Sequence, residues 1–99
     1  MEIEKSADEA GITLTVSGRL TAVTAEELND ALDAAVAETK KLILDFKELE
    51  FVASAGLRVI ISAKKNMDAA GGELIIRNVI EPVMDVFELV GLDDILTFE

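Results

Sequence analysis

The sequence contains no cysteine and no histidine. Without cysteine there is no disulfide, no thiol nucleophile and no sulfur ligand for a metal. Without histidine the chain lacks the commonest general base, the usual partner of a nucleophilic serine and the commonest metal ligand, so no metal or cofactor is expected and a non-enzymatic role is. No apolar run approaches the roughly 20 residues that a membrane span needs. The opening Met1-Glu2-Ile3-Glu4 has neither a basic segment nor an apolar signal core, which predicts a cytoplasmic protein. Neither a GxxxxGK phosphate loop nor a GxGxxG fingerprint occurs, so no tightly bound nucleotide is indicated. Cations are scarce: 9 Lys and Arg stand against 20 Asp and Glu, a net charge of −11. Such a chain repels nucleic acid and anionic membrane surfaces, and a protein partner with a basic docking face suits it better.

What is present is an apolar half, 51% of 99 residues, spread along the whole chain. That length and pattern predict one domain spanning residues 1–99. Ile12, Leu14 and Val16 alternate with Thr13, Thr15 and Ser17, the period-two mark of a strand with one buried face. Ile3 is assigned to a shorter strand before it, joined through the polar stretch Ser6 to Gly11. Thr24-Ala25-Glu26-Glu27 has the spacing of a capping box. Behind it, Leu28, Ala31, Leu32, Ala35 and Val36 form one helical apolar stripe. Leu42-Ile43-Leu44, followed by Asp45 and Phe46, reads as a central strand covered on both faces. After a loop from Lys47 to Ala53, a second helix is expected from Ser54 to about Ala70, ended by Gly71-Gly72. Leu74-Ile75-Ile76 is another buried strand. Pro82 sits in the first turn of a third helix with Val83, Val86, Phe87 and Val90 on one face and Gly91 at its end. Ile95, Leu96 and Phe98 are assigned to a last short strand. The order β-β-α-β-α-β-α-β predicts an α/β fold with a mainly parallel, mixed sheet.

The segment Phe51-Val52-Ala53-Ser54-Ala55-Gly56-Leu57-Arg58 joins the sheet centre to the second helix. Ligands and partners of open α/β sheets meet the protein beyond the carboxyl ends of strands, where free helix amides carry partial positive charge. By spacing alone Ser54 reads most simply as an N-cap. Against this, the third position beyond it is Leu57 rather than Glu or Gln, so no capping box closes. At about 100° per residue, Ser54, Arg58, Ile61 and Lys65 share an outer stripe, opposite the core stripe of Gly56, Ile60, Ala63 and Met67. A basic and apolar strip beside a serine in so acidic a chain points to a docking surface. As a catalytic nucleophile Ser54 lacks a histidine, and Lys64 and Lys65 lie too far along the helix to serve as its base. Asp45 is expected to bond to loop amides.

These residues together resemble free-standing STAS domains that act as bacterial anti-sigma-factor antagonists. The resemblance rests on Gly18-Arg19-Leu20 leading to Thr24, on Leu42-Ile43-Leu44-Asp45, and on Ser54-Ala55-Gly56-Leu57-Arg58. Gly71-Gly72-Glu73-Leu74 and Val86-Phe87-Glu88-Leu89-Val90-Gly91-Leu92 extend it over nearly the whole chain. It implies a partner-switching phosphoprotein that takes part in transcription regulation. An ATP-binding anti-sigma serine kinase phosphorylates Ser54, the unphosphorylated form binds that kinase and frees the sigma factor, and a phosphatase resets the cycle. It also implies a docking surface made of Arg19, Leu20, Thr21, Ala22 and Val23 together with Ala53, Ser54, Ala55, Gly56, Leu57, Arg58, Ile61 and Lys65. Many family members carry an aspartate immediately before the serine and another after the Gly-x-Leu turn, where this chain has Ala53 and Thr21. The alternative reading is a STAS module of another signalling assembly, in which Ser54 senses an anion and no sigma factor is involved.

Overall fold

The computed structural model describes all residues from Met1 to Glu99. Its first unit is a hairpin, β1 (Glu2–Asp8) antiparallel to β2 (Gly11–Leu20). Ile12, Leu14 and Val16 are buried, as their alternation requires. The first strand runs on well past Ile3, through the polar stretch expected to be a connection. Its Lys5 and Ala7 pair with Leu14 and Ile12, and Asp8 Oδ1 closes the two-residue turn by accepting from the amides of Ala10 (2.8 Å) and Gly11 (3.2 Å). An edge strand pairs along one side only and tolerates such polar residues.

All other pairings are parallel. β2 pairs with β3 (Lys41–Asp45), β3 with β5 (Glu73–Arg77) and β5 with β6 (Thr97–Phe98), giving the order β1-β2-β3-β5-β6. The central position of Leu42-Ile43-Leu44 is as expected, but its two faces differ. Leu42 and Leu44 join the 23-residue core with the buried residues of all three helices, whereas Ile43 and Ile75, paired side by side, lie outside it. The helices thus cover one face only. On the other face the two isoleucines are flanked in register by Thr13 and Thr97.

The stretch read as a loop from Lys47 to Ala53 contains a further strand, β4 (Leu49–Val52), which takes up pairing with β2 beyond its contact with β3. The register jumps there, Gly18 opposing Leu49 and Arg19 opposing Phe51, so Glu50 is the extra residue of a bulge. That bulge explains why Glu50 and Phe51 are both exposed between buried Leu49 and Val52. It also hides the strand from a search for period two.

α1 (Ala25–Glu38) buries Ala25, Leu28, Leu32 and Ala35. The expected capping box does not form: Thr24 makes no cap bond, because its hydroxyl donates to the Arg19 carbonyl (2.9 Å) and accepts from the Thr21 amide (2.8 Å). α2 (Ser54–Ala69) buries Gly56, Leu57, Ile60, Ala63 and Met67. It ends in a Schellman arrangement, Gly72 N–H to the Met67 carbonyl (2.8 Å) and Gly71 N–H to that of Asp68 (3.1 Å). α3 (Glu81–Leu89), with Pro82 in its first turn, buries Val83 and Phe87, and the Phe87 ring meets Phe98 edge-on at 5.3 Å. Val90, expected on that buried face, is 53% exposed beyond the helix end. A 3-10 turn (Leu92–Asp94) follows, so Ile95 stands outside the last strand, which is only two residues long.

Candidate functional site

Ser54 stands where β4 gives way to α2, and three backbone contacts set its place. The Ala53 amide donates to the Leu20 carbonyl (2.8 Å), tying the strand end to the end of β2. The Ala53 carbonyl accepts from Gly56 (2.9 Å) and Leu57 (3.2 Å), starting the first helical turn. Ala53 itself is extended, φ −98° and ψ 169°, and is the N-cap. Ser54 is therefore the first residue inside the helix and not its cap, which corrects the expectation. Its side chain is exposed and makes no capping bond. A hydroxyl at this position lies beside amides of the first turn that have no helical acceptor.

Gly56 explains why the helix can begin so close to the sheet. A Cβ at this position would lie 2.5 Å from Leu20 Cγ, 2.6 Å from Leu20 Cδ2 and 3.2 Å from Val52 Cγ2. The absence of a side chain lets α2 rest on two fully packed side chains, and the rigid contact holds Ser54 outward. Leu20, Gly56 and Leu57 are consequently buried. Leu20 and Leu57 keep their side chains in the core and Gly56 has none, so these three, expected as contact residues, form instead the frame behind the Ser54 face.

The loop from Arg19 to Val23 lies alongside, since Leu20 pairs with Val52. Its own hydroxyls hold it: besides the Thr24 bonds, Thr21 Oγ1 accepts from the Val23 amide (3.2 Å). This leaves Ala22 exposed and Val23 85% exposed at the tip. Arg19 lies over the Phe51 ring, 4.4 Å from its centroid. Phe51, named in the sequence segment but not among the expected docking residues, is turned outward beside Arg19 by the bulge.

Arg58 and Lys65 are exposed and Ile61 is half-buried, so the outer stripe of α2 stands as expected, with Thr21, Ala53 and Ala55 half-buried beside it. The ion pairs of the fold are Lys5–Glu38, Lys64–Asp68 and Arg77–Glu99, which leaves Arg19, Arg58 and Lys65 uncommitted. The Ser54 face is thus basic and apolar on an acidic molecule. Asp45, in contrast, accepts from the Lys47 amide (3.1 Å) and from Asn78 Nδ2 (3.3 Å), the loop-bonding role expected of it. No pocket opens on the surface, and no helix is long and apolar enough to cross a membrane.

The STAS domain model matches residues 2–99. An anti-sigma-B factor antagonist of Listeria monocytogenes is 31% identical over 93% of this chain and 82% of its own length. Among solved structures, the anti-sigma factor antagonist SpoIIAA in its unphosphorylated form superposes with a TM-score of 0.83 at 19% identity, covering 99% of this chain and 88% of that one. The Bacillus cell fate determinant SpoIIAA in its phosphorylated form gives 0.77 at 18% identity, covering 99% and 91%. With a family match along almost its full length and a relative sharing nearly a third of its residues, this chain belongs to the STAS domain family.

Proposed function

We propose that this chain is an anti-sigma-factor antagonist that works by partner switching. Unphosphorylated, it docks on an ATP-binding anti-sigma serine kinase and the sigma factor is released. Phosphorylation of Ser54 ends the docking. The observation that carries this reading is an exposed Ser54 hydroxyl without a capping bond, held at the first position of α2 by Gly56 packed on Leu20. A flat site of this kind suits a macromolecule and not a small substrate, which favours pockets. The names of the relatives point the same way, and one of the similar structures is of a phosphorylated form.

In the reaction, Ser54 Oγ takes the γ-phosphoryl group of kinase-bound ATP, ADP leaves, and the hydroxyl proton passes to a base of the kinase. A phosphatase returns the serine by adding water and releasing inorganic phosphate. The new charge sits at a helix N-terminus, where negative groups are favoured, so the fold survives. Binding is what suffers. A like charge about 4 Å away across an interface of effective dielectric near 20 costs roughly 4 kcal/mol, or about two to three powers of ten in affinity. The names of the relatives, antagonists of anti-sigma factors, support assigning the switch to the cytoplasm.

The test is to incubate the protein with the anti-sigma kinase encoded nearest its gene and MgATP, then map the modified residue by mass. Labelling at Ser54 and none in Ser54→Ala supports the reading; labelling that persists in Ser54→Ala removes it. The free amides and Arg58 also fit a module that holds an anion without being phosphorylated, and saturable phosphate binding with no labelling would favour that second reading.

A further inference from the structure

Five large apolar side chains are exposed, and two of them, Val23 and Phe51, belong to the Ser54 face. The other three do not. Leu89 (86% exposed), Val90 (53%) and Ile95 (57%) bracket the turn at Gly91, where α3 ends and the 3-10 turn carries the chain toward β6. The turn is closed by its own backbone, Gly91 N–H to Glu88 and Ile95 N–H to Leu92, so the three side chains are presented by an ordered segment. Core formation does not require them, since Val83, Phe87, Leu92 and Leu96 already supply the buried contacts of this region. Their exposed apolar surface adds up to on the order of 300 Å² within seven residues of chain, comparable to the largest apolar patch of an ordinary monomer, which is often functional.

The charge around this patch is of one sign. From Glu81 to Glu99 the chain holds six carboxylates and no Lys or Arg. Glu99 is taken by Arg77, while Asp85, Glu88, Asp93 and Asp94 are exposed and enter no ion pair. Lys47 is an exposed cation in the loop before β4, the strand against which α3 packs. The Ser54 face is the reverse, with Arg19, Arg58 and Lys65 free. Two surfaces with apolar centres and opposite rims select partners of opposite charge.

We infer that the end of α3 and the 3-10 turn form a second docking surface, for a partner protein whose contact face has an apolar centre edged by Lys or Arg. Such a face buries Leu89, Val90 and Ile95 at the centre of the contact and neutralises the four carboxylates at its rim. A partner built for the basic Ser54 face meets repulsion here. The surface therefore holds the protein in an assembly through a different protein from the one that reads Ser54, and the inference does not rest on Ser54 being phosphorylated.

The experiment is an NMR amide-shift titration of the full chain, at physiological salt, with a synthetic helical peptide of leucine and lysine about 14 residues long, enough to hold a helix on contact. Shifts are expected to concentrate on residues 85–96. The exposed pair of changes Leu89→Ser and Ile95→Ser should leave the spectrum folded and weaken binding at least tenfold, because the apolar centre is gone. Neutralising Glu26 and Glu27 on α1 should change affinity by less than twofold. Shifts spread evenly over the acidic surface, affinity unchanged in the double serine variant, or no binding at all would each overturn the inference. So would shifts at residues 85–96 that depend on the concentration of the protein alone, since the occupant would then be a second copy.

Discussion

Replacing Gly56 with alanine is the sharpest probe of the frame behind Ser54. Alanine is normally the better helix residue, by up to about 1 kcal/mol over glycine. Here the added methyl would sit 2.5 and 2.6 Å from two carbons of Leu20, a side chain with no exposure and so no open space to move into. Overpacking of this kind costs about 1–3 kcal/mol. The net expectation is a loss of roughly 1–2 kcal/mol, and for a chain of this size each kcal/mol lowers Tm by about 4–8 °C. A thermal melt followed by circular dichroism should therefore show a fall of roughly 5–15 °C. The decisive control is a double-mutant cycle with Leu20→Ala, which removes Cγ and Cδ2. That change alone should cost about 2–5 kcal/mol. In its background Gly56→Ala should become close to neutral, because the two shortest contacts have gone, the helix preference remains and only the 3.2 Å approach to Val52 Cγ2 persists. A Gly56→Ala protein as stable as the parent, or a penalty of equal size in both backgrounds, would refute the account.

Ser54→Asp places a negative charge in the first turn of α2, which has no acidic residue of its own; it should keep or raise Tm by a few degrees, from a dipole term of about 0.3–1 kcal/mol, while weakening capture of the kinase in a pull-down. Arg19→Ala should leave stability within about 0.5 kcal/mol in a urea titration, as exposed substitutions do, yet weaken kinase binding measurably by calorimetry if the proposed docking holds, since its guanidinium lies over Phe51 beside the Ser54 face. Phe87→Ala should cost about 3–5 kcal/mol by urea unfolding, because the ring is fully buried and meets Phe98 edge-on.

Much of this architecture can be read from residue patterns, because one-sided burial imposes a period. Ile12, Leu14 and Val16 show it for a strand, and Leu28, Leu32 and Ala35 for a helix. What escaped depends on contacts distant in sequence or on breaks in period. β4 is four residues long and carries a bulge, so Glu50 and Phe51 point out together where alternation would bury one of them. Thr24 has the residue type and spacing of a cap, but its hydroxyl bonds five residues back to Arg19 in the β2 exit. Ser54 opens α2 as expected, but as its first helical residue and not its cap, since Ala53 is the N-cap and its amide is tied to Leu20. Leu20, Gly56 and Leu57 lie within a motif that reads as a surface, and only the close approach of α2 to β2 shows that they are its foundation.

The placement of Ser54 inside the helix bears on how a phosphate there would act. At an N-cap, the hydroxyl would accept a bond from the helix, and modifying it would disturb the helix start. At the first helical position, with no capping bond to break, a phosphate instead gains the attraction of the unpaired amides, and Arg58, one turn along the same face, can supply a cation. The folded chain is then at least as stable phosphorylated as not. On the proposed function, phosphorylation would then act without unfolding the Ser54 face, and its effect on binding, about two to three powers of ten for a like charge facing it at 4 Å, would arise where a partner closes over Ser54. On the proposed cycle the return to the binding form requires an enzyme, because a phosphate monoester hydrolyses extremely slowly by itself. A frame as closely packed as Gly56 on Leu20 would suit the proposed cycle, because both forms would present the same backbone and differ by one phosphate group of about −1.5 to −2 charge.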